Sequence, residues 1–223
     1  TEPLAPLLSE WGLIRHRVEV EVRYFIDLIE LPLPQLSDFP SEKLEGLRDL
    51  YDNFTEEQAL KIKDIEATTN HDVKAVEYWI KDEMESQGLG QWSEFVHFGL
   101  TSQDVNNTAI PLSLKRATED VYLPVLDEVL NRLNELSLEW KSIPMLARTH
   151  GQAASPVTLG KEIRVFENRL RIQRDLIASS VYAAKFGGAT GGFNAHMVAY
   201  PEIDWISFGN KFVEDNLGLH RSK

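Results

Sequence analysis

The sequence predicts an all-α protein: a small N-terminal helical domain followed by the start of a long-helix bundle. Two observations carry this. Apolar residues recur at three- and four-residue spacing nearly everywhere, and strict alternation over strand length is scarce. Ile14, Val18, Val22, Phe25 or Ile26, and Ile29 form one face of a first helix. Pro32, Pro34 and Pro40 interrupt it, and shorter helices are expected from about Ser41 to Asn53 and Thr55 to Ala67. A short segment follows Gly88 and Gly90 and ends near Gly99. The stripes then lengthen. Leu126, Val129, Leu130, Leu133 and Leu136 lie on a helix expected from Ser102 to Trp140, and Leu159, Ile163, Phe166, Leu170 and Ile177 on another from Pro156 to Ala184. Gly187, Gly188, Gly191 and Gly192 mark a tight bend between helices. The change in helix length puts a boundary near residue 100, giving domains 1–100 and 101–223, the second the first part of a bundle. Two long antiparallel helices cannot close a core, so their stripes are expected to be covered by other subunits or by further chain.

The 223 residues suffice for a substantial core. With 43% hydrophobic and 26% charged residues, the composition excludes a disordered tail, a collagen-like repeat and a disulfide scaffold. Lys plus Arg number 23 against 35 Asp plus Glu, and the net charge of -12 argues against a nucleic-acid partner. A small phosphate is still within reach, because a helix N-terminus and one or two cations hold one. No cysteine is present, which excludes disulfides, iron–sulfur clusters and thiolate zinc sites and fits a reducing compartment. No apolar run approaches the roughly 18 residues of a membrane span, and no signal-peptide pattern opens the chain, so a cytoplasmic location is expected. The six histidines show neither HExxH nor close pairing, and no metal site is expected.

Three segments combine helix-start grammar with polar residues that the grammar does not require. In TTNHDVKAVE (Thr68 to Glu77), Thr69 and Asp72 have capping-box spacing, which would put Asn70 and His71 in a first helical turn, where an anion is favoured. The plainer reading is a capping box with an incidental histidine. In HFGLTSQDVNN (His97 to Asn107), Thr101 and Asp104 repeat the spacing, and Thr101 and Ser102 offer hydroxyls beside the free amides of a long helix, with His97 just upstream. Here too a structural cap is the alternative. In LARTHGQAASP (Leu146 to Pro156), Ser155 and Pro156 read as N-cap and first helical residue, leaving Thr149, His150, Gly151 and Gln152 in a connection. His150 reads either as a loop histidine or as an acid able to protonate a leaving nitrogen. The run FGGATGGFNAH (Phe186 to His196) lacks the Lys-Ser/Thr of a phosphate-binding loop. His16 and His220 read as packed or solvated, and His196 is undecided.

In this order and at these separations, the three segments resemble the adenylosuccinate lyases of the fumarase and aspartase superfamily, the bacterial type most closely. The similarity runs from about Ser9 to Trp205 and includes EWGLIRHRVEVEVRYF and AAKFGGATGGFNAHMVAYPE. The resemblance implies an all-α homotetramer with a central helical bundle and shared active sites. It implies a carbon–nitrogen lyase of purine biosynthesis that eliminates fumarate from adenylosuccinate, giving AMP, and from succinylaminoimidazole carboxamide ribotide, with no cofactor. In that chemistry a base takes a proton from the succinyl Cβ and an acid protonates the departing nitrogen. His150 matches the general acid and His71 the second active-site histidine. Asn70, His71 and Asp72 match a substrate-binding triplet, Thr101 and Ser102 a contact to the succinyl part, and His97 a phosphate contact in some relatives. Thr149 and Gln152 are expected to line the site.

The chain also departs from the family. The catalytic serine of the family lies on a loop patterned like SSxMPxKxNP, which does not occur here, and the upstream Arg-Tyr pair of the bacterial type is expected to precede the region present here. Ala153 stands where many relatives have proline. Family members are about twice this length, so the resemblance implies an N-terminal half, inactive as an isolated chain. A non-catalytic helical oligomerisation module, and a lyase of the same superfamily acting on another substrate such as argininosuccinate, are the alternative readings. The THGQ at Thr149 to Gln152 argues against the latter, where THLQ is usual.

Overall fold

The computed structural model describes residues 2–222 and is mostly helical. Its contacts divide the described residues into two compact units, 2–115 with 181–222, and 116–180.

The first unit opens with α1 (Ala5–Leu8) and α2 (Glu10–Ile29). The Ser9 side chain caps α2 by accepting the Gly12 N–H at 3.0 Å. Single 3-10 turns at Pro34–Leu36 and Ser41–Lys43 carry the chain through its prolines to α3 (Leu44–Asp52). Then come α4 (Glu56–Thr69), α5 (Asp72–Ser86), a 3-10 stretch at Gly90–Phe95 and α6 (Ser102–Arg116). Thr55 starts α4 with a full capping box to Gln58. The later part of the unit contributes β3 (Ala183–Ala184), α9 (Asn194–Ala199), α10 (Trp205–Asn210), a π-helical stretch at Lys211–Asn216 and β4 (His220–Arg221), which pairs in parallel with β3.

The core of this unit is built on α2, which is buried on nearly every side. Val18, Val20, Tyr24 and Leu28 are inaccessible, and so are the charged or polar His16, Glu19 and Glu21. Tyr24 packs edge-on against Phe186, Phe208 and Phe212. Its hydroxyl donates to the Phe98 carbonyl at 2.6 Å and accepts from His196 Nε2 at 2.8 Å. A Cβ on Gly99, where φ is +67°, would come within 2.6 Å of the His196 ring, so only glycine fits there. His196, undecided in the sequence, is a neutral core residue that locks the 96–101 loop to α2.

The second unit holds a π-helical stretch at Ala117–Tyr122, α7 (Leu123–Glu139), the hairpin β1 (Pro144–Thr149) and β2 (Gln152–Thr158), and α8 (Leu159–Ala178). The wide turn directly precedes Pro124, which has no N–H to offer the Asp120 carbonyl. Gly160 lets α8 approach the end of α7, since a Cβ there would lie 2.2 Å from the Ser137 carbonyl oxygen. Val125, Val129, Leu138, Phe166, Ile172 and Leu176 are exposed, whereas of the stripes read from the sequence Leu130 is inaccessible and Leu126, Leu133, Leu136, Leu159, Ile163 and Ile177 are half-buried.

The hairpin corrects the expectation that Ser155 and Pro156 start a helix. They lie within β2, and α8 begins at Leu159, capped by Thr158, which accepts the Lys161 N–H at 3.3 Å. Both faces of the hairpin are largely open to water, so burial imposes no alternation for a sequence reading to find. Pro156 sits beside the register shift at Leu146, where a strand tolerates a missing N–H.

Burial pushes the His196 imidazole down to about 4. Between its ordinary value and that one the unfolded chain binds a proton that the folded chain does not. Stability therefore falls as pH drops through that window, by about 3 kcal/mol from this residue. Asp27, raised by burial to about 6, acts in the opposite direction. Comparing urea unfolding of the wild type and His196→Gln across this range isolates the histidine, and the variant is expected to lose less stability on acidification.

Candidate active site

The first candidate segment is a junction between two helices. Asn70 takes the left-handed conformation (φ +52°) and ends α4, donating its N–H to the Glu66 carbonyl at 2.8 Å. His71 is the N-cap of α5, its Nδ1 accepting the Lys74 N–H at 3.1 Å. The expectation that Thr69 caps the helix and that Asn70 and His71 fill its first turn is thus corrected. Asparagine tolerates αL, so α4 runs through Thr69 and the next helix starts later. An accepting Nδ1 carries no proton, which leaves the neutral His71 ring with an Nε2–H donor, and the residue is exposed. Asp72, the first residue of α5, accepts Arg17 Nη2 at 2.6 Å.

The second segment leans on the same helix. Arg17 also donates from Nε to Asn106 Oδ1 at 2.8 Å, so one guanidinium on α2 ties the start of α5 to the first turns of α6. One turn further along α2, the inaccessible Glu21 accepts His97 Nδ1–H at 2.5 Å. His97 has φ +64°. Burial raises the Glu21 carboxyl against the pull of His97, while burial lowers His97 but is outweighed by the bond and charge of Glu21, so that His97 is raised. Glu77 of α5, near both, is desolvated, but its pairs to Lys74 (2.8 Å) and Lys81 (3.2 Å) hold its carboxyl below the usual range. Thr101 directly precedes α6 and Ser102 opens it; both are half-buried, beside amides that have no intrahelical carbonyl to bond.

The third segment is the tip of the hairpin in the second unit. His150 (φ +53°) and Gly151 (φ +76°) are the two residues of its turn, both left-handed as in a type I′ turn, flanked by the paired Thr149 and Gln152. All four are exposed. In the first unit α2 thus bonds directly to Asp72 and His97 and, through Asn106, to the helix that Ser102 opens, and the second unit presents Thr149, His150 and Gln152 together. Among the described residues, four non-glycines have positive φ, and Asn70, His97 and His150 are three of them. Such backbone strain clusters at functional sites.

The family model described as Lyase matches residues 28–216. The chain belongs to this lyase family. It is 52% identical to the adenylosuccinate lyase of Dictyostelium discoideum over 95% of its own length and 47% of that protein's. It is 42% identical to the adenylosuccinate lyase of Vibrio cholerae over 98% of its length and 48% of that protein's. The chain therefore spans about half the length of the curated relatives it matches. Among solved structures, the 3-carboxy-cis,cis-muconate lactonizing enzyme from Pseudomonas putida shares the fold with a TM-score of 0.78 at 18% identity, covering 100% of this chain and 48% of that one.

Sequence reasoning gives no role to Arg17 or Glu21 and only a local one to Asp104, three residues that organise the candidate site. Asp104 was read as half of a capping box, and its Oδ2 does accept the Thr101 N–H at 2.9 Å. It is also inaccessible and accepts the amides of Gly187 and Gly188, both at 3.0 Å, and the Lys185 ammonium at 2.7 Å. The glycine-rich bend is thereby fixed against the start of α6. In Asp104→Asn, one acceptor oxygen becomes an NH₂ facing donors and Lys185 loses its counter-charge. The Lys185 side chain keeps 29% of its surface open, so the loss is less than the about 3–5 kcal/mol of a fully buried pair, and the urea midpoint of the variant is expected to fall below that of the wild type.

Proposed function

We propose that the chain is part of an adenylosuccinate lyase, an enzyme that eliminates fumarate from adenylosuccinate to leave AMP and from succinylaminoimidazole carboxamide ribotide earlier in purine biosynthesis. The observation that carries the reading is the pair of relatives of that name, aligned along nearly the whole of this chain. The geometry supports it in three ways. His150, at an exposed hairpin tip, is free to reach a leaving nitrogen and protonate it as general acid. His71, held by its own helix start, directs Nε2–H outward to bind substrate or orient that acid, with Asn70 and Asp72 beside it. Thr101 and Ser102 at the start of α6 suit a succinyl carboxylate, and His97 suits a phosphate. Thr149 and Gln152 would line the site next to His150. The proton on the succinyl Cβ needs a base that none of these residues is assigned to be. In this reading that base is a serine from outside the 223 residues, and the isolated chain is inactive.

The same proposal makes the whole protein a cytoplasmic homotetramer with shared active sites, needing no cofactor and no nucleic-acid or membrane partner. Residues 1–100 would form its N-terminal domain and residues 101–223 the first part of its bundle. The exposed apolar faces of α7 and α8 are consistent with a bundle completed by other chain or other subunits. In the whole protein, His150→Gln and His150→Asn, the second better suited to a left-handed turn, are expected to lower fumarate release from adenylosuccinate by about 10²–10⁴-fold. Circular dichroism should stay unchanged, because the side chain is exposed. Turnover close to wild type in both variants would remove His150 from the acid role.

A further inference from the structure

The Glu21–His97 pair lies beneath the candidate site and is not accounted for by packing alone. Glu21 is inaccessible, and among the described residues its Oε2 has no hydrogen-bond partner and its Oε1 has only His97 Nδ1. A carboxylate in that position needs a cation or a proton. His97, held at φ +64° between α2 and α6, is fixed with Nδ1 inward, and its side chain keeps 18% of its surface open. Its Nε2 makes no hydrogen bond within the described residues. While an ionised Glu21 accepts Nδ1–H, the outward Nε2 has two states. It is a bare lone pair when the ring is neutral and an N–H donor when the ring is charged. Only the second state attracts an anion.

We propose that Glu21 is a positioning residue that makes His97 a cationic N–H donor to an anionic group of the substrate. This rests on the lyase reading above and adds to it a residue that never touches substrate. The carboxylates facing the ring outweigh the one ammonium. Glu21 on α2 and Glu77 on α5 favour the cation, and Lys74 on α5 opposes it while itself bonded to Glu77. Lys81 is likewise paired to Glu77, and Asp104 on α6 acts on Glu21. The raised titration of His97 is what such a pair produces. The linkage has a definite direction: anion binding through His97 is strong while the ring is charged and fades as pH rises through its titration.

Glu21→Gln tests this, because an amide oxygen can still accept Nδ1–H while the charge is gone. On histidine-labelled chain, with the His97 signals assigned by their loss in His97→Gln, the titration midpoint is expected to fall in Glu21→Gln by about one pH unit or more. Inorganic phosphate should raise the midpoint in the wild type, and at about pH 7.5 the variant should bind it more weakly than the wild type does. In the whole protein, KM for adenylosuccinate at about pH 7.5 should rise on the order of tenfold with kcat little changed, and should recover toward about pH 6 as the imidazole recharges. An unchanged His97 midpoint, or a lowered midpoint with no weakening of phosphate binding and no rise in KM at about pH 7.5, overturns the proposal. If the wild type does not act on adenylosuccinate, the functional reading fails, and the titration with phosphate still decides the role of Glu21.

Discussion

The first unit depends on one buried carboxylate. Asp104 has no access to water and yet carries a full set of donors: the amides of Thr101, Gly187 and Gly188 and the ammonium of Lys185. A lone buried charge would destabilise the fold by several kcal/mol, and one satisfied on both oxygens instead selects a single arrangement of everything that bonds to it. Two loops with no secondary structure of their own, 96–101 and 186–193, are held in place this way. Gly188 stands close enough to the Gly99 carbonyl that a Cβ would already be in contact. The start of α6, with Thr101 and Ser102, is therefore a rigid ledge instead of a frayed helix end.

Around that ledge, α2 works as a buried polar spine. Along one face it carries Arg17, joined to Asp72 and Asn106, and then Glu21, joined to His97. Further along, Tyr24 bridges the Phe98 carbonyl and His196. Each of these groups faces a loop or a helix end, where backbone amides and side chains could not otherwise be positioned by apolar packing, which is non-directional. The division of labour is physical: apolar residues of α2 fill the core, and its ionic residues set the orientation of the segments that bear candidate site residues. This suits a lyase, whose substrate groups must be held still while a bond breaks.

Much of this was legible in the sequence, and the exceptions have specific causes. The apolar face of α2, the helix starts at Thr55 and Ser102 and the glycine-rich bend follow from local periodicity and cap chemistry. The resemblance carried by the three polar segments agrees with the family to which the chain belongs. Arg17 and Glu21 carry no local signal of their roles, because burial of a charged position is decided by partners such as Asp72 and His97, far away in sequence. Asp104 showed only its local half, the three-residue step to Thr101, while its partners in the bend lie more than eighty residues on. Asn70 misled because asparagine is as suited to ending a helix in αL as to starting one, and no neighbour in the sequence decides between them. The hairpin was missed for the opposite reason: nothing buries either face, so no alternation is required. The His-Gly pair at its tip was the available signal.

Amide hydrogen exchange at Gly187 and Gly188 tests most directly whether the Asp104 carboxylate holds the site together. If it does, these two loop amides exchange as slowly as those of Val20 and Val22 in the middle of α2, opening only with the whole unit, while Ala189 beside them exchanges fast. Exchange of Gly187 and Gly188 at the rate of Ala189 would mean that the bend opens freely, and the ledge would then owe its position to something other than that carboxylate.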